Sequence, residues 1–208
     1  MNMKILRRGA EAILYLEKSD GRDALVKERV KKSYRIREID EPLRKRRTRL
    51  ESRIMNEARR IGVLVPQIYE TDEKNFRITM EYIDGKRLKD ALNDIEQKDA
   101  EKICDTVGKS VSTLHEHNIV HGDLTTSNMI MLGDKIYFID FGLAESSNRI
   151  EDKAEDLVLF IQALKSTHYK IWNACWDSFL KGYSRYENSR DVLERAEKIQ
   201  KRGRYHER

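Results

Sequence analysis

Between His121 and Gly142 the chain reads HGDLTTSNMIMLGDKIYFIDFG, which sets Asp123, Asn128 and Asp140 within a short stretch. Carboxylate and amide oxygens are the hard donors that suit Mg²⁺ held together with substrate phosphates. A further carboxylate beside such a pair can accept a proton from an attacking hydroxyl or water. Spacing decides whether the three meet. Met129 to Leu132 and Lys135 to Ile139 read as strands joined by Gly133-Asp134, a hairpin signal. A hairpin returns the chain to its start, so Asn128 before it and Asp140 after it arrive at one end. Asp123 precedes that end by one tight loop. Two oxygen ligands and one base are the parts needed for phosphoryl transfer, in which catalysis is mostly positioning and charge neutralisation.

The elements that must carry this cluster follow from periodicity. Ala12 to Leu16 and Ala24 to Lys27 read as strands around Ser19-Asp20-Gly21, a hairpin turn. Pro42 is expected to open a long helix, capped by Asp40 or Glu41 and ended by Gly62. Its apolar stripe is Leu43, Leu50, Ile54 and Ile61, and Glu57 falls on the same stripe. A carboxylate there calls for a cationic partner, and Lys27, at the end of a strand, is the candidate. Phe76, Ile78 and Met80 alternate with Arg77, Thr79 and Glu81 in one of two strands between Gln67 and Tyr82. From Lys86 to His117 the pattern is helical, with Ile103, Val107, Val111 and Leu114 on one face. Helices return over 156–183 and 190–200, where Trp172, Trp176, Phe179 and Tyr183 recur at core spacing. The fold class expected is α+β, with a strand-rich lobe over 1–84 and a helical lobe over 85–208 forming one domain.

Composition narrows the setting. Two cysteines, Cys104 and Cys175, stand far apart without the spacing of a zinc site or a disulfide framework. No apolar run approaches the roughly 18 to 20 residues that span a bilayer, and the N-terminus lacks the pattern of a signal peptide. The expectation is a soluble cytoplasmic protein that makes no membrane contact. The net charge of +5 is unevenly spread: residues 27–60 carry 14 Lys/Arg against 6 Asp/Glu, and the tail from Arg195 carries 6 against 2. Such localised base is either a solvated helix face or a footprint for phosphate, nucleic acid or an acidic partner.

HGDLTTSN followed by IDFG resembles the catalytic loop and DFG segment of the protein-kinase superfamily. By that resemblance Asp123 is the catalytic aspartate, and Asn128 and Asp140 are the metal ligands. Lys27 is the third-strand lysine on the ATP phosphates and Glu57 its helix partner. Glu81, Tyr82 and Ile83 match the hinge whose backbone holds adenine. Gly9 and Ala10 stand where a glycine-rich loop would cover the phosphates, with a single glycine. Gly122 replaces the arginine of HRD, Thr125 takes the place of a basic residue, and no APE follows the DFG. An activation loop ordered by phosphorylation and a peptide-docking platform are therefore not expected.

With GAEA at 9–12, VKERVKKSYR at 26–35, RKRRT at 44–48, NEAR at 56–59, EDKAEDL at 151–157 and RGR at 202–204, the chain resembles the small atypical kinase subunit of the KEOPS (EKC) complex, the p53-related protein kinase family. That resemblance implies ATP and Mg²⁺ as cofactors, autophosphorylation on serine or threonine, and ATPase activity beside a threonylcarbamoyl transferase subunit and other KEOPS subunits in tRNA modification. It adds tRNA contact through the basic helix and tail, and Asp156 as the aspartate that braces the catalytic loop. Two alternatives stand beside it: a nucleotide-binding scaffold with little catalysis, and a small-molecule phosphotransferase, whose HGD loops are similar. An RNA-binding module driven by the basic helix is disfavoured, because no aromatic-interleaved basic stripe or known RNA motif is present.

Overall fold

Alternating side chains build the first half as an antiparallel sheet. The computed structural model describes residues 4–19 and 21–206, except the side chains of Ser19 and of 203–206. It runs β1 (Lys4–Arg8), β2 (Ala12–Ser19), β3 (Arg22–Arg29), α1 (Arg37–Arg60), β4 (Ile68–Asp72) and β5 (Arg77–Glu81). The sheet order is β1-β2-β3-β5-β4. Gly21 takes φ +77° in the expected β2–β3 turn, while its neighbour Asp20 lies outside the described residues. In β3 the two-residue period separates Ala24 and Val26 from Leu25, Lys27 and Arg29, so one face carries both cations.

The long helix begins earlier than Pro42. α1 starts at Arg37 after Ile36, and Pro42 lies within it. Proline there forfeits one backbone hydrogen bond, yet Asp40, expected as a cap, is fully buried and works as an anchor. Its carboxylate accepts from Arg44 Nε at 2.7 Å and from the Lys32 amide at 3.3 Å, tying the start of the helix to the connection from β3. The far end falls where expected: Ile61 caps the helix and Gly62 follows at φ +90°.

The stretch from Lys86 to His117 is not one helix. It holds β6 (Lys86–Arg87), α2 (Leu88–Ala91) and α3 (Gln97–Glu116), broken where Asp94 N–H turns back to the Ala91 carbonyl. β7 (Ile119–Val120), a 3₁₀ turn at Thr126–Asn128, β8 (Met129–Leu132), β9 (Lys135–Phe138) and β10 (Glu145–Ser146) follow. β10 pairs with β7, and β6 joins the β8–β9 hairpin as a third strand. α4 (Ile150–Thr167), α5 (Trp172–Tyr183) and α6 (Ser189–His206) complete the lobe. α6 runs past the Gln200 end expected from the sequence. Gly108 on α3 and Gly182 on α5 each face the other helix's backbone, where a Cβ would collide with the carbonyls of Phe179 and Asp105. Phe179 and Tyr183 are fully buried in this packing, with Trp172 and Trp176 partly buried against it. Among the described residues no helix is long and apolar enough to cross a membrane.

Candidate active site

The β8–β9 hairpin brings its ends together through one hydrogen bond, from Ile139 N–H to the Asn128 carbonyl at 2.9 Å. Asp140 therefore follows directly beside Asn128. It takes φ +63°, a left-handed conformation uncommon outside glycine, which turns its carboxylate into the cleft. Asn128 donates from Nδ2 to the Asp123 carbonyl at 2.9 Å and to Asp123 Oδ2 at 2.7 Å. Its side-chain oxygen takes no part in either bond. Asp123, Asn128 and Asp140 thus meet at one end of the hairpin.

The loop carrying Asp123 is held from beneath. Asp156 on α4 is buried, and its carboxylate accepts from the His121 amide at 2.7 Å and the Gly122 amide at 2.8 Å. His115 stands 3.3 Å from the same carboxylate through Nε2, and its Nδ1 meets the Tyr183 hydroxyl at 2.7 Å. His121 Nδ1 accepts from the Asp123 amide at 3.3 Å and its Nε2 faces the Ile139 carbonyl at 3.2 Å. His121 therefore links the loop of Asp123 to the strand before Asp140. Gly122, at φ +76°, presses against the Leu143 carbonyl, where a Cβ would overlap it.

From the other lobe, Lys27 enters nine-tenths buried and donates to Glu51 Oε1 at 2.5 Å and Asp140 Oδ1 at 2.6 Å. Glu51 is the helix partner of Lys27, and Glu57 is not. Six residues further along a helix, Glu57 lies about 9 Å away along the axis and on a different face. It is only half-buried, whereas Glu51 is 1% exposed. The buried face of α1 is Glu51, Ile54, Met55 and Ala58, the i, i+3, i+4, i+7 pattern. Leu43, Leu50 and Ile61, from the stripe read in the sequence, lie at its margin. Arg29, also buried, meets the second oxygen of Glu51 through Nη2.

Burial by itself pulls the Lys27 ammonium down, but the carboxylates of Glu51 and Asp140 outweigh it and hold its pKa above the ordinary lysine value. Asp140 mirrors this. Burial pushes its carboxyl up, while the Lys27 charge and hydrogen bond, the nearby His121 and the Gly142 amide hold it below the usual aspartate range.

Leu14, Leu25, Met80, Ile83, Ile130 and Ile139 line an apolar recess that reaches Lys27 and Asn128. It runs beside the Glu81–Ile83 segment, and Tyr82 is half-buried there. The Glu81 amide is already engaged by the Gln67 carbonyl, and the Ile83 carbonyl by the Gly85 amide. Nearer the surface, a cavity of about 280 Å³ is bounded by Gly9, Ala10, Glu11, Lys27, Asp123 and Asp140. Sequence reasoning missed Glu51, Arg29 and Glu11 at this site. The two-residue period from Lys27 was a signal for Arg29, and the spacing from Glu51 to Ile54, Met55 and Ala58 was one for Glu51.

Residues 7–167 match the protein kinase domain family, so fold and sequence define a kinase-class domain. The chain is 46% identical over 215 residues to the KEOPS complex subunit Bud32 of Pyrococcus abyssi, covering 99% of this chain and 98% of that protein. It is 44% identical over 204 residues to a probable bifunctional tRNA threonylcarbamoyladenosine biosynthesis protein of Methanosarcina mazei, of which it spans 36%. The chain belongs to the Bud32 family of atypical kinases within the protein-kinase superfamily. Among solved structures, the Rio2 kinase of Chaetomium thermophilum has the same fold, with a TM-score of 0.62 at 14% identity over 96% of this chain and 72% of that one.

Proposed function

We propose that this chain is an ATP- and Mg²⁺-dependent phosphotransferase, acting as a serine/threonine kinase on itself and chiefly as an ATPase. Its setting is the cytoplasm, beside a threonylcarbamoyl transferase and other KEOPS subunits, in tRNA modification. The observation that carries the reading is the pair of contacts from Lys27 to Glu51 and to Asp140, which join the two lobes beside a cavity that Asp123 also lines. Asp123, aligned by the Asn128 amide, is the group that takes the proton of the attacking hydroxyl or water. Lys27 lines the cavity with a positive charge for phosphate, and the apolar recess beside Glu81, Tyr82 and Ile83 suits a base.

Asp140 and the oxygen of Asn128 form an all-oxygen donor pair, which fits Mg²⁺ with its remaining ligands drawn from phosphates and water. When bound, that ion would neutralise phosphate charge. The Gly9–Ala10 turn closes the cavity with its backbone, Gly9 N–H bonding the Ala12 carbonyl at 2.9 Å. The names of the relatives, a KEOPS subunit and tRNA threonylcarbamoyladenosine proteins, support the partner assignment. Exposed Arg46, Arg53 and Arg60 on α1, with Lys201 and Arg202 on α6, are the candidates for tRNA contact. Arg204 belongs to the same proposal, and its side chain lies outside the described residues.

The test is phosphate release from ATP with Mg²⁺, with and without the transferase subunit. Asp123→Ala and Asp140→Ala are each expected to lower it on the order of 10²-fold or more. Release at the parent rate in both variants would remove the catalytic reading and leave a binding scaffold.

A further inference from the structure

The catalytic loop has Thr125 where a cation is expected, and Lys27 is held by Glu51 and Asp140. A second protein cation beside Lys27 would therefore add to the charge available to phosphates in this cavity. Arg29 is 4% exposed and lines the cavity together with Asp123 and Asp140. Its Nη2 lies 3.3 Å from the position of a Cβ on Gly142, so it reaches the turn that follows Asp140. Only part of its fork is used. Nη2 serves Glu51, Nε is buried without a partner, and Nη1 stands 3.8 Å from Glu11 Oε2, beyond a hydrogen bond. Five donors in a rigid planar array suit phosphate oxygens, and a buried guanidinium with an idle edge is short of an acceptor.

Glu11 is the acidic side chain that stands beside the idle edge without bonding to it. It sits on the turn between β1 and β2, half-exposed, with both carboxylate oxygens 3.0 Å from Arg47 Nη1 on α1. The same turn is tied down through the Ala10 carbonyl to Lys32. A glycine-rich loop would bring only backbone amides to a phosphate. This loop brings a carboxylate instead, which is held by Arg47 and lies 3.8 Å from Arg29.

We propose that Arg29 is a further phosphate-binding residue of this cleft, offering Nη1 to the outermost phosphate of the nucleotide, and that Glu11, held by Arg47 beside it, is the carboxylate whose negative charge opposes that phosphate. The inference rests on the nucleotide reading given above. It assigns the missing loop cation to β3, and it makes the terminal phosphate, more than the base, the part that Arg29 recognises.

The experiment is calorimetric binding of ADP and ATP to the full chain, for the parent, Arg29→Lys and Glu11→Gln. Glu11→Gln removes the opposing charge from an exposed turn, and it is expected to tighten ATP several-fold while moving ADP less. Arg29→Lys keeps the charge and loses the fork. It is expected to weaken ATP by about tenfold more than ADP. A residue that merely shaped Glu51 would shift both nucleotides by one factor, and a merely structural latch at Glu11 would leave ATP binding equal or weaker. Either of those results overturns the proposal. If the parent binds neither nucleotide, the reading under Proposed function falls and this one falls with it. If the parent binds both and the variants keep the parent's ratio of ADP to ATP affinity, only this inference is lost.

Discussion

Glu51 and Asp156 are both 1% exposed, one in each lobe, and their burial is compensated in opposite ways. Glu51 on α1 is met by two long-chain cations, Lys27 and Arg29, which reach it from a neighbouring strand. Asp156 on α4 is met by two backbone amides and a histidine that is itself anchored by Tyr183. Backbone amides cannot change partner without unfolding the loop, whereas long side chains can. The carboxylate under the loop of Asp123 is thus built for rigidity. The one beside the cavity belongs to a chain of alternating charge, from Asp140 through Lys27, Glu51, Arg29 and Glu11 to Arg47, made of side chains alone.

Substitutions can break or sharpen that contrast. Asp156→Ala strands two amides that lose a charged acceptor, so a loss of about 3–5 kcal/mol in urea unfolding is expected. Nucleotide affinity would fall only as far as folding does. Glu51→Gln leaves Lys27 and Arg29 with a neutral partner. About 3 kcal/mol is expected from the unbalanced buried charge, together with a loss of ATP binding greater than the loss of fold. Glu57→Gln should stay within about 0.5 kcal/mol and leave ATP binding alone. A larger effect there than at Glu51 would return the ion pair to Glu57. Gly142→Ala introduces a Cβ 3.2 Å from Asp140 Oδ1 and 3.3 Å from Arg29 Nη2, and should cost about 1–2 kcal/mol in thermal unfolding.

The smallest effect is with pH. The Asp140 pKa is depressed, so its contribution is present above the unfolded value near 4 and is lost as pH falls through the lower folded value. That of Lys27 is raised, so its contribution is present below about 10.4 and is lost as pH rises through the folded value. The urea midpoints of the parent and Asp140→Asn should therefore differ by a constant amount between about pH 5 and 9, and converge in stronger acid. Convergence at neutral pH would mean that the Lys27–Asp140 contact is not made in solution.

What was legible in the sequence was local. The hairpin over 129–139 needs only a two-residue alternation and a Gly-Asp turn, and it places Asn128 and Asp140 with no knowledge of the rest. The partner of Lys27 depends on the rotational phase of α1, and that depends on where the helix begins and which face the sheet buries. Taking Pro42 as the first residue, and a seven-residue stripe as the buried one, moved the contact from Glu51 to Glu57. Glu11 and Arg29 were harder still, since a turn carboxylate and a strand arginine acquire meaning only when β1, β3 and α1 are stacked. The backbone acceptor role of Asp156 came from family resemblance, because no periodicity marks which helical aspartate faces a distant loop.

Gly122 bears on how such a protein could change over time. An arginine at this position is the usual handle by which a phosphorylated loop reports to a catalytic aspartate, and one base change can turn many glycine codons into arginine. Here the Leu143 carbonyl fills the space where the first carbon of any side chain would go, and the backbone lies at a φ that favours glycine. Acquiring the handle would require the segment after Asp140 to be rebuilt at the same time, so each half of the change alone would be harmful. A one-step change from Gly122 to arginine is therefore expected to cost stability before it could add any new contact.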